Sequence, residues 1–205
     1  MPRPTTKLLS PQIIVDAAIR MVDTTGDFTM PGLAQRLKVR PSSLYNHVSG
    51  RAEIIELVRA QMMSQIDLIV AADAPWTEVV TALAREYRRC YARHPRFIPL
   101  FTSHTVAAGV AFGMYNALAS AFAAGGYPPE QILHAITAVD SFVLGSALDL
   151  AAPEVVWESG PEANDAMRAA LATSVPNPER ADAAFEFGLD VLVAGLAARA
   201  ETTRP

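Results

Sequence analysis

The chain is short of several things, and each shortage excludes something. Its 205 residues include one cysteine, Cys90. That leaves no intramolecular disulfide and no cysteine cluster for a metal, and it fits a reducing compartment. Gly-Asn and Asp-Gly hairpin signals are absent while alanine is abundant, which favours helices over a meander of strands. There is no phosphate-binding loop, dinucleotide fingerprint or Ser-His-Asp order. His94 and His134 stand alone. Glu130 and His134 fall one turn apart, but a two-metal bundle needs such a pair twice, with facing carboxylates. Met1 to Ser10 has two prolines, two basic residues and no apolar stretch, unlike an export signal. The expectations are therefore a cytoplasmic protein that is not an enzyme, with no metal and no cofactor.

Charge is missing from one long stretch: Phe97 to Pro129 contains no Asp, Glu, Lys or Arg. A membrane span needs roughly 20 mostly apolar residues. Val106 to Ala124 is rich in Ala and Gly and carries Asn116 and Ser120, so its drive into lipid is weak. A helix buried on most sides by its own protein explains the stretch better.

What is present is enough to build a sizeable core. The chain is 51% hydrophobic and 19% charged, so a disordered chain is excluded. A total charge of -4 argues against nucleic acid, but the distribution reverses that argument. Residues 1–51 hold Arg3, Lys7, Arg20, Arg36, Lys38, Arg40 and Arg51 against Asp16, Asp23 and Asp27, a net +4 that leaves -8 for the remainder. A basic N-terminal part beside an acidic second domain suits a DNA reader.

Local signals divide the N-terminal part into short helices. Ser10-Pro11 opens the first, with Ile13, Ile14, Ala17, Ala18, Met21 and Val22 at helical spacing and Gly26 as its stop. Thr29 caps a second carrying Leu33, Ala34 and Leu37. Val39 and Arg40 make the turn, and Pro41 opens a third of barely two turns, Ser42 to Val48. Gly50 with Glu53 starts a long fourth helix, expected over 50–71 as a connector. Beyond it, helices are predicted over Trp76–Ala92, up to Ala124, from Pro128-Pro129 to about Leu150, and over Glu179–Arg199, with a short one near Glu162–Ala172. The predicted fold is all-α: a helix-turn-helix domain over residues 1–51 joined to a helical ligand-binding and dimerisation domain over 52–205.

Three short helices joined by tight turns are the plan of a helix-turn-helix DNA reader. The third must be exposed, with small or polar residues able to approach base edges. Ser42, Ser43, Tyr45, Asn46 and His47 meet that need, while Leu44 and Val48 fall on the inward face. Arg40 and Arg51 flank the helix where phosphates would pass, and the Thr29 hydroxyl can both cap and touch phosphate. Met30 and Pro41, at the starts of the second and third helices, complete the expected DNA-facing set. A generic helical bundle with one solvated polar helix has the same periodicity.

Residues 29–55 read TMPGLAQRLKVRPSSLYNHVSGRAEII. This resembles the signature of the tetracycline-repressor (TetR) family: a Thr cap, Leu-Ala and Leu-x-Val, then Leu-Tyr-x-His-Val and a basic residue three further on. The resemblance implies a homodimeric transcriptional regulator, and it alone implies repression rather than activation: the protein would bind a palindromic operator on double-stranded DNA and be released by a small-molecule effector. Gly126 to Leu150 and the run Phe185 to Leu196 resemble the family's two dimerisation helices. The sequence agrees, because these helices are apolar on more than one side. Ile132, Ile136, Val139 and Val143 on the first, with Phe185, Gly188, Val191, Leu192 and Gly195 on the second, are the expected dimer interface.

The resemblance also implies an effector cavity lined from the fourth helix and the uncharged helix. Met63, Leu83, Tyr87, Phe101, Met114, Phe142 and Trp157 are candidates for its wall, and equally for a plain core. The tetracycline site is not reproduced: Asp67, Leu83, Phe101, Val106 and Ala111 occupy the region of its polar groups, and only Tyr87 keeps aromatic character. His104 lies near the right segment, and Asp67 and His104 join the candidate ligand set. Asp149 falls where the resemblance puts an acid from the partner subunit. A less polar ligand than tetracycline is expected. The alternative is a helical small-molecule carrier or enzyme whose DNA-binding motif is vestigial.

Overall fold

The computed structural model describes residues 9–67, 70, 71, 73–106, 109 and 112–203. Among them there are ten α-helices, one 3-10 turn and no strand, so the all-α expectation holds. Arg3, Lys7 and Ala111, named above, lie outside the described residues.

The chain divides into two compact units. The first comprises the described residues up to Gln65 together with those of His94–Phe112. It contains α1 (Pro11–Thr25), α2 (Met30–Leu37), α3 (Pro41–Leu44), α4 (Arg51–Met63), a 3-10 turn (Pro95–Phe97) and α6 (Ile98–Thr102). The capping signals work as read. Ser10 accepts from the Ile13 amide at 3.4 Å, and Thr29 accepts from the Gly32 amide at 3.1 Å. Gly26 closes α1 with φ 84°, a left-handed conformation open to glycine at little cost. At the start of α4, Glu53 takes the Ser49 amide at 2.5 Å, one residue earlier than the Gly50 signal suggested. That amide holds the Glu53 carboxyl below its ordinary value.

Three expectations about this unit change. The segment after Pro41 is helical only to Leu44. It continues as hydrogen-bonded turns, with the His47 and Val48 amides both donating to the Leu44 carbonyl. The connector ends at Met63 rather than near residue 71, because the Ser64 and Gln65 amides close it back on its last turn. The unit also reaches past residue 51 and recruits His94–Phe112. The cause is Arg59 of α4, whose buried guanidinium donates to the Phe101 carbonyl at 3.0 Å and lies 4.8 Å over the Phe101 ring.

The second unit comprises the described residues of Ile66–Arg93 and from Gly113 onward. It holds α5 (Trp76–Ala92), α7 (Phe112–Ala124, save its first residue), α8 (Pro129–Asp149), α9 (Asp165–Ala172) and α10 (Glu179–Thr203). The core of this unit is where α5, α8 and α10 meet. Val80, Leu83, Ala84 and Tyr87 of α5 are buried, with Val139, Val143 and Ala147 of α8 and Ala181, Phe185 and Leu189 of α10. Arg88 locks the three helices together. It donates to Ser146 Oγ at 2.9 Å, Asp182 at 2.7 Å and the Ala181 carbonyl at 3.1 Å, and it stacks 4.5 Å over Phe185. Trp76 packs beside Phe122 and Tyr127, with ring centroids 5.8 and 6.0 Å away.

Among the described residues one helix is long and apolar enough to cross a membrane. It is α8, not the uncharged stretch before it, and its composition follows from having two apolar sides to cover.

Gly188 sets the approach of α10 to α8. A Cβ there would lie 2.6 Å from Phe142 Cε2, whose ring stacks 5.5 Å from Phe185. Gly188→Ala should therefore lower unfolding stability by about 1–2 kcal/mol despite alanine's better helix propensity. Chemical denaturation checks this, and adding Phe142→Leu should recover part of the loss.

Candidate nucleic-acid interface and effector positions

The DNA-facing set is built by burying two residues and leaving their neighbours out. Leu44 and Val48 lie inside the first unit at 0% and 3% exposure, whereas Tyr45, between them, is 54% exposed. Ser42, Asn46 and His47 are exposed with it, and Ser43 is half-buried. Pro41 occupies the first turn of α3, and the Arg40 side chain beside it is exposed. Thr29 is exposed at the cap of α2, with Met30 half-buried behind it. These residues come from the starts of α2 and α3 and the turn after α3. Lys38, not anticipated in this set, is also exposed and sits at the tight turn in a left-handed conformation with φ 57°.

Arg51 is the exception. Its guanidinium donates to the Phe28 carbonyl and to Asp27 Oδ1, the latter at 2.7 Å, and lies 4.5 Å over the Phe28 ring. It fastens the start of α4 to the loop between α1 and α2, so it is a structural clamp and not a free phosphate contact. Burial tends to raise the Asp27 pKa. The Arg51 hydrogen bond, the Phe28 amide and the Arg51 charge outweigh that and hold it below its ordinary value.

The nine effector candidates divide between the units. In the first, Met63 and Phe101 are buried. Phe101 is taken up by stacking on Phe97 at 5.3 Å and by Arg59. His104 is half-buried, with Nδ1 2.8 Å from the Leu100 carbonyl. In the second, Leu83, Tyr87 and Met114 are buried, and Asp67 is exposed. Two candidates have other contacts in the structure. Phe142 packs on Phe185 and Gly188 and belongs to the contact of α8 with α10. Trp157 is 52% exposed, under the Arg180 guanidinium at 5.2 Å, and lines a surface groove of about 370 Å³ with Val155 and Val175. Asp149 is taken up by an ion pair with Arg180 at 2.6 Å.

Sequence reasoning missed a polar cluster in the second unit. Tyr87 donates its hydroxyl to Asp140 Oδ1 at 2.5 Å, and Tyr115 donates to the same oxygen at 3.3 Å. Tyr91 stands edge-on to Tyr87 at 4.7 Å. Burial, with the neighbouring Tyr91 and Asp140, pushes the Tyr87 hydroxyl well above its usual pKa, so it stays a donor at neutral pH. The signal was available, since Asp140 is the one Asp, Glu, Lys or Arg between Glu130 and Asp149.

The expected dimer face also shifts. Ile136, Val139, Val143 and Phe185 are buried within one chain, so they face their own core and not a partner. Gly188 is filled by Phe142 of the same chain. Ile132 and Leu192 are half-buried, and Val191 and Gly195 remain outside. The large apolar residues left exposed on α8 and α10 are Leu133 (71%), Leu148, Phe187 (74%) and Val191. Period alone placed the apolar residues but did not say which of two apolar sides the chain's own core would take.

Three short N-terminal helices with an exposed segment at and after the third are the plan of a helix-turn-helix DNA-binding protein. Comparison with known proteins specifies the class. Residues 71–200 match the family model described as tetracyclin repressor-like, C-terminal domain. A transcriptional regulator of the helix-turn-helix type from Saccharopolyspora erythraea is 31% identical over 213 residues, covering 96% of this chain and 88% of that protein. Apo ActR from Streptomyces coelicolor superposes with a TM-score of 0.78 at 23% identity over 96% of this chain and 98% of that one. A further structure of ActR is a complex with actinorhodin, at TM-score 0.74 and 22% identity over 94% and 97% of the two chains. BioQ bound to its double-stranded DNA operator matches with a TM-score of 0.65 at 25% identity, over 93% and 99%. The chain belongs to the TetR family of transcriptional regulators.

The contrast between Arg40 and Arg51 is testable. Arg40→Ala should leave the melting temperature unchanged and flatten the salt dependence of DNA binding by about one unit of slope. Arg51→Ala should instead destabilise the first unit by about 1 kcal/mol, a value kept small by the partial exposure of the pair. Thermal denaturation and binding titrations across salt concentrations separate the two.

Proposed function

We propose that this protein is a homodimeric transcriptional repressor in the cytoplasm that binds a palindromic operator and is released by a small, largely apolar effector. The observation that carries the reading is the exposure of Tyr45 between the buried anchors Leu44 and Val48. That arrangement lets α3 and the turn after it enter a major groove while the rest of the unit stays packed. The proposed base-contacting residues are Ser42, Ser43, Tyr45, Asn46 and His47, with Thr29 and Arg40 on phosphates and Met30 and Pro41 beside them.

The dimer is proposed to form through α8 and α10, on the face carrying Leu133, Leu148, Phe187 and Val191. Large apolar side chains exposed together on two helices are the usual mark of a covered surface. A two-fold dimer presents two copies of α3 to successive major grooves, about 34–36 Å apart. An effector that prefers one conformation of the dimer shifts this spacing, with coupling of about 1–3 kcal/mol. The protein acts by binding and not by catalysis, and it needs no cofactor. The rival reading, a helical carrier or enzyme with a vestigial motif, predicts ligand binding or turnover with no salt-dependent DNA affinity.

Two experiments test the proposal. Selection from a random DNA pool should yield a palindrome, and Tyr45→Ala should weaken binding to it by 10-fold or more, about 1.4 kcal/mol, with the oligomer intact. Equal binding by wild type and variant removes the recognition segment. Phe187→Asp should convert the dimer to monomers in sedimentation equilibrium, and an unchanged mass removes the interface.

A further inference from the structure

The Asp140 carboxylate is the most unusual charge in the second unit. Both of its hydrogen bonds, from the Tyr87 and Tyr115 hydroxyls, go to Oδ1. Among the described residues no cation pairs with it. Among the described residues the other oxygen, Oδ2, has no hydrogen-bond partner. The three helices that hold this group supply no spare positive charge. Helix α7 has no Asp, Glu, Lys or Arg at all, and α8 has no Lys or Arg. The three arginines of α5 are committed elsewhere: Arg85 to Glu186, Arg88 to Asp182 and Arg89 to Glu86.

Half-buried anions in proteins are ordinarily paired, because removal from water is costly unless an opposite charge or several donors replace the lost hydration. Here two phenols do part of that work on one oxygen, and the rest is left to something that is not part of the chain. The phenols of Tyr87 and Tyr115 meet on the carboxylate, and Tyr91 packs edge-on against Tyr87, so aromatic side chains of the kind that attract cations stand close by. We infer that Asp140, framed by Tyr87 and Tyr115, is the recognition point for a protonated amine on an otherwise apolar, aromatic effector. The ammonium donates to Oδ2 while the tyrosine hydroxyls hold Oδ1 and fix the carboxylate's orientation. This inference rests on the effector reading above and narrows it to amphipathic cations.

The test uses three probes that share one ring system and differ in charge: 1-naphthylmethylamine, 1-naphthalenemethanol and 1-naphthoic acid. Calorimetric titration of the full-length protein at pH 7 should find the amine bound about tenfold more tightly than the alcohol, and the acid weakest. Asp140→Asn keeps the shape of the side chain and removes its charge. It should bring the amine to the level of the alcohol and leave the alcohol unchanged. Tyr115→Phe, which keeps the ring, should weaken the amine selectively by a few-fold. The inference is overturned if wild type binds the three probes alike, binds none of them, or favours the acid. It is equally overturned if folded Asp140→Asn retains the preference for the amine. Operator release measured with the same probes separates this inference from the regulator reading. Binding with charge preference but no release sinks the effector mechanism and leaves the site standing. Release that ignores Asp140→Asn sinks the site alone.

Discussion

A guanidinium taken out of water must find acceptors for its N–H groups, and this constraint organises both units. Arg59 and Arg88 are the buried arginines among the described residues. Arg59 draws its acceptors from the carbonyls of Phe101 and His104 and from Glu56, so α4 and the residues around α6 are held as one piece. Arg88 takes Ser146 from α8 and Asp182 and Ala181 from α10, which ties those helices to α5. Removing one acceptor would leave a buried charge short of partners, a more damaging change than losing an apolar contact of equal size. Elements far apart in sequence are thereby held in register by a requirement that ordinary packing does not impose.

The same accounting decides which charges are left for function. Arg51 looks like a phosphate contact by position, yet Asp27, Phe28 and the Phe28 ring take it up. Arg40 and Lys38 have exposed side chains and remain available to a polyanion. In the second unit the balance runs the other way: α5 spends its arginines on Glu186, Asp182 and Glu86, and among the described residues Asp140 has two phenols and no cation.

Much of the helical plan was legible in the sequence because its signals are local. Ser10, Gly26 and Thr29 act on backbone groups within three or four residues, and their caps formed as read. The recognition segment was legible for a related reason: Leu44 and Val48 are four apart, so both fall on one face and Tyr45 cannot share it. The fourth helix was read too long because nothing in its periodicity marks Met63 as an end. Of the residues expected at a dimer interface, Ile136, Val139, Val143 and Phe185 are buried in their own core, because α8 and α10 are apolar on two sides and periodicity does not say which side the chain covers itself.

The sequence by itself determined the all-α class, the start and stop of the N-terminal helices, and the exposure of the residues around Tyr45. All of these follow from interactions spanning one or two helical turns. Only the tertiary structure decided that Arg51 is a clamp, that Phe142 fills the space above Gly188, and that Tyr87, Tyr115 and Asp140 meet. Each of those facts pairs residues from different elements, 23 to 53 positions apart in the closest hydrogen-bonded cases. Helical periodicity carries no information about which helix lies opposite, so such pairings are fixed by packing and by the need to satisfy buried polar groups.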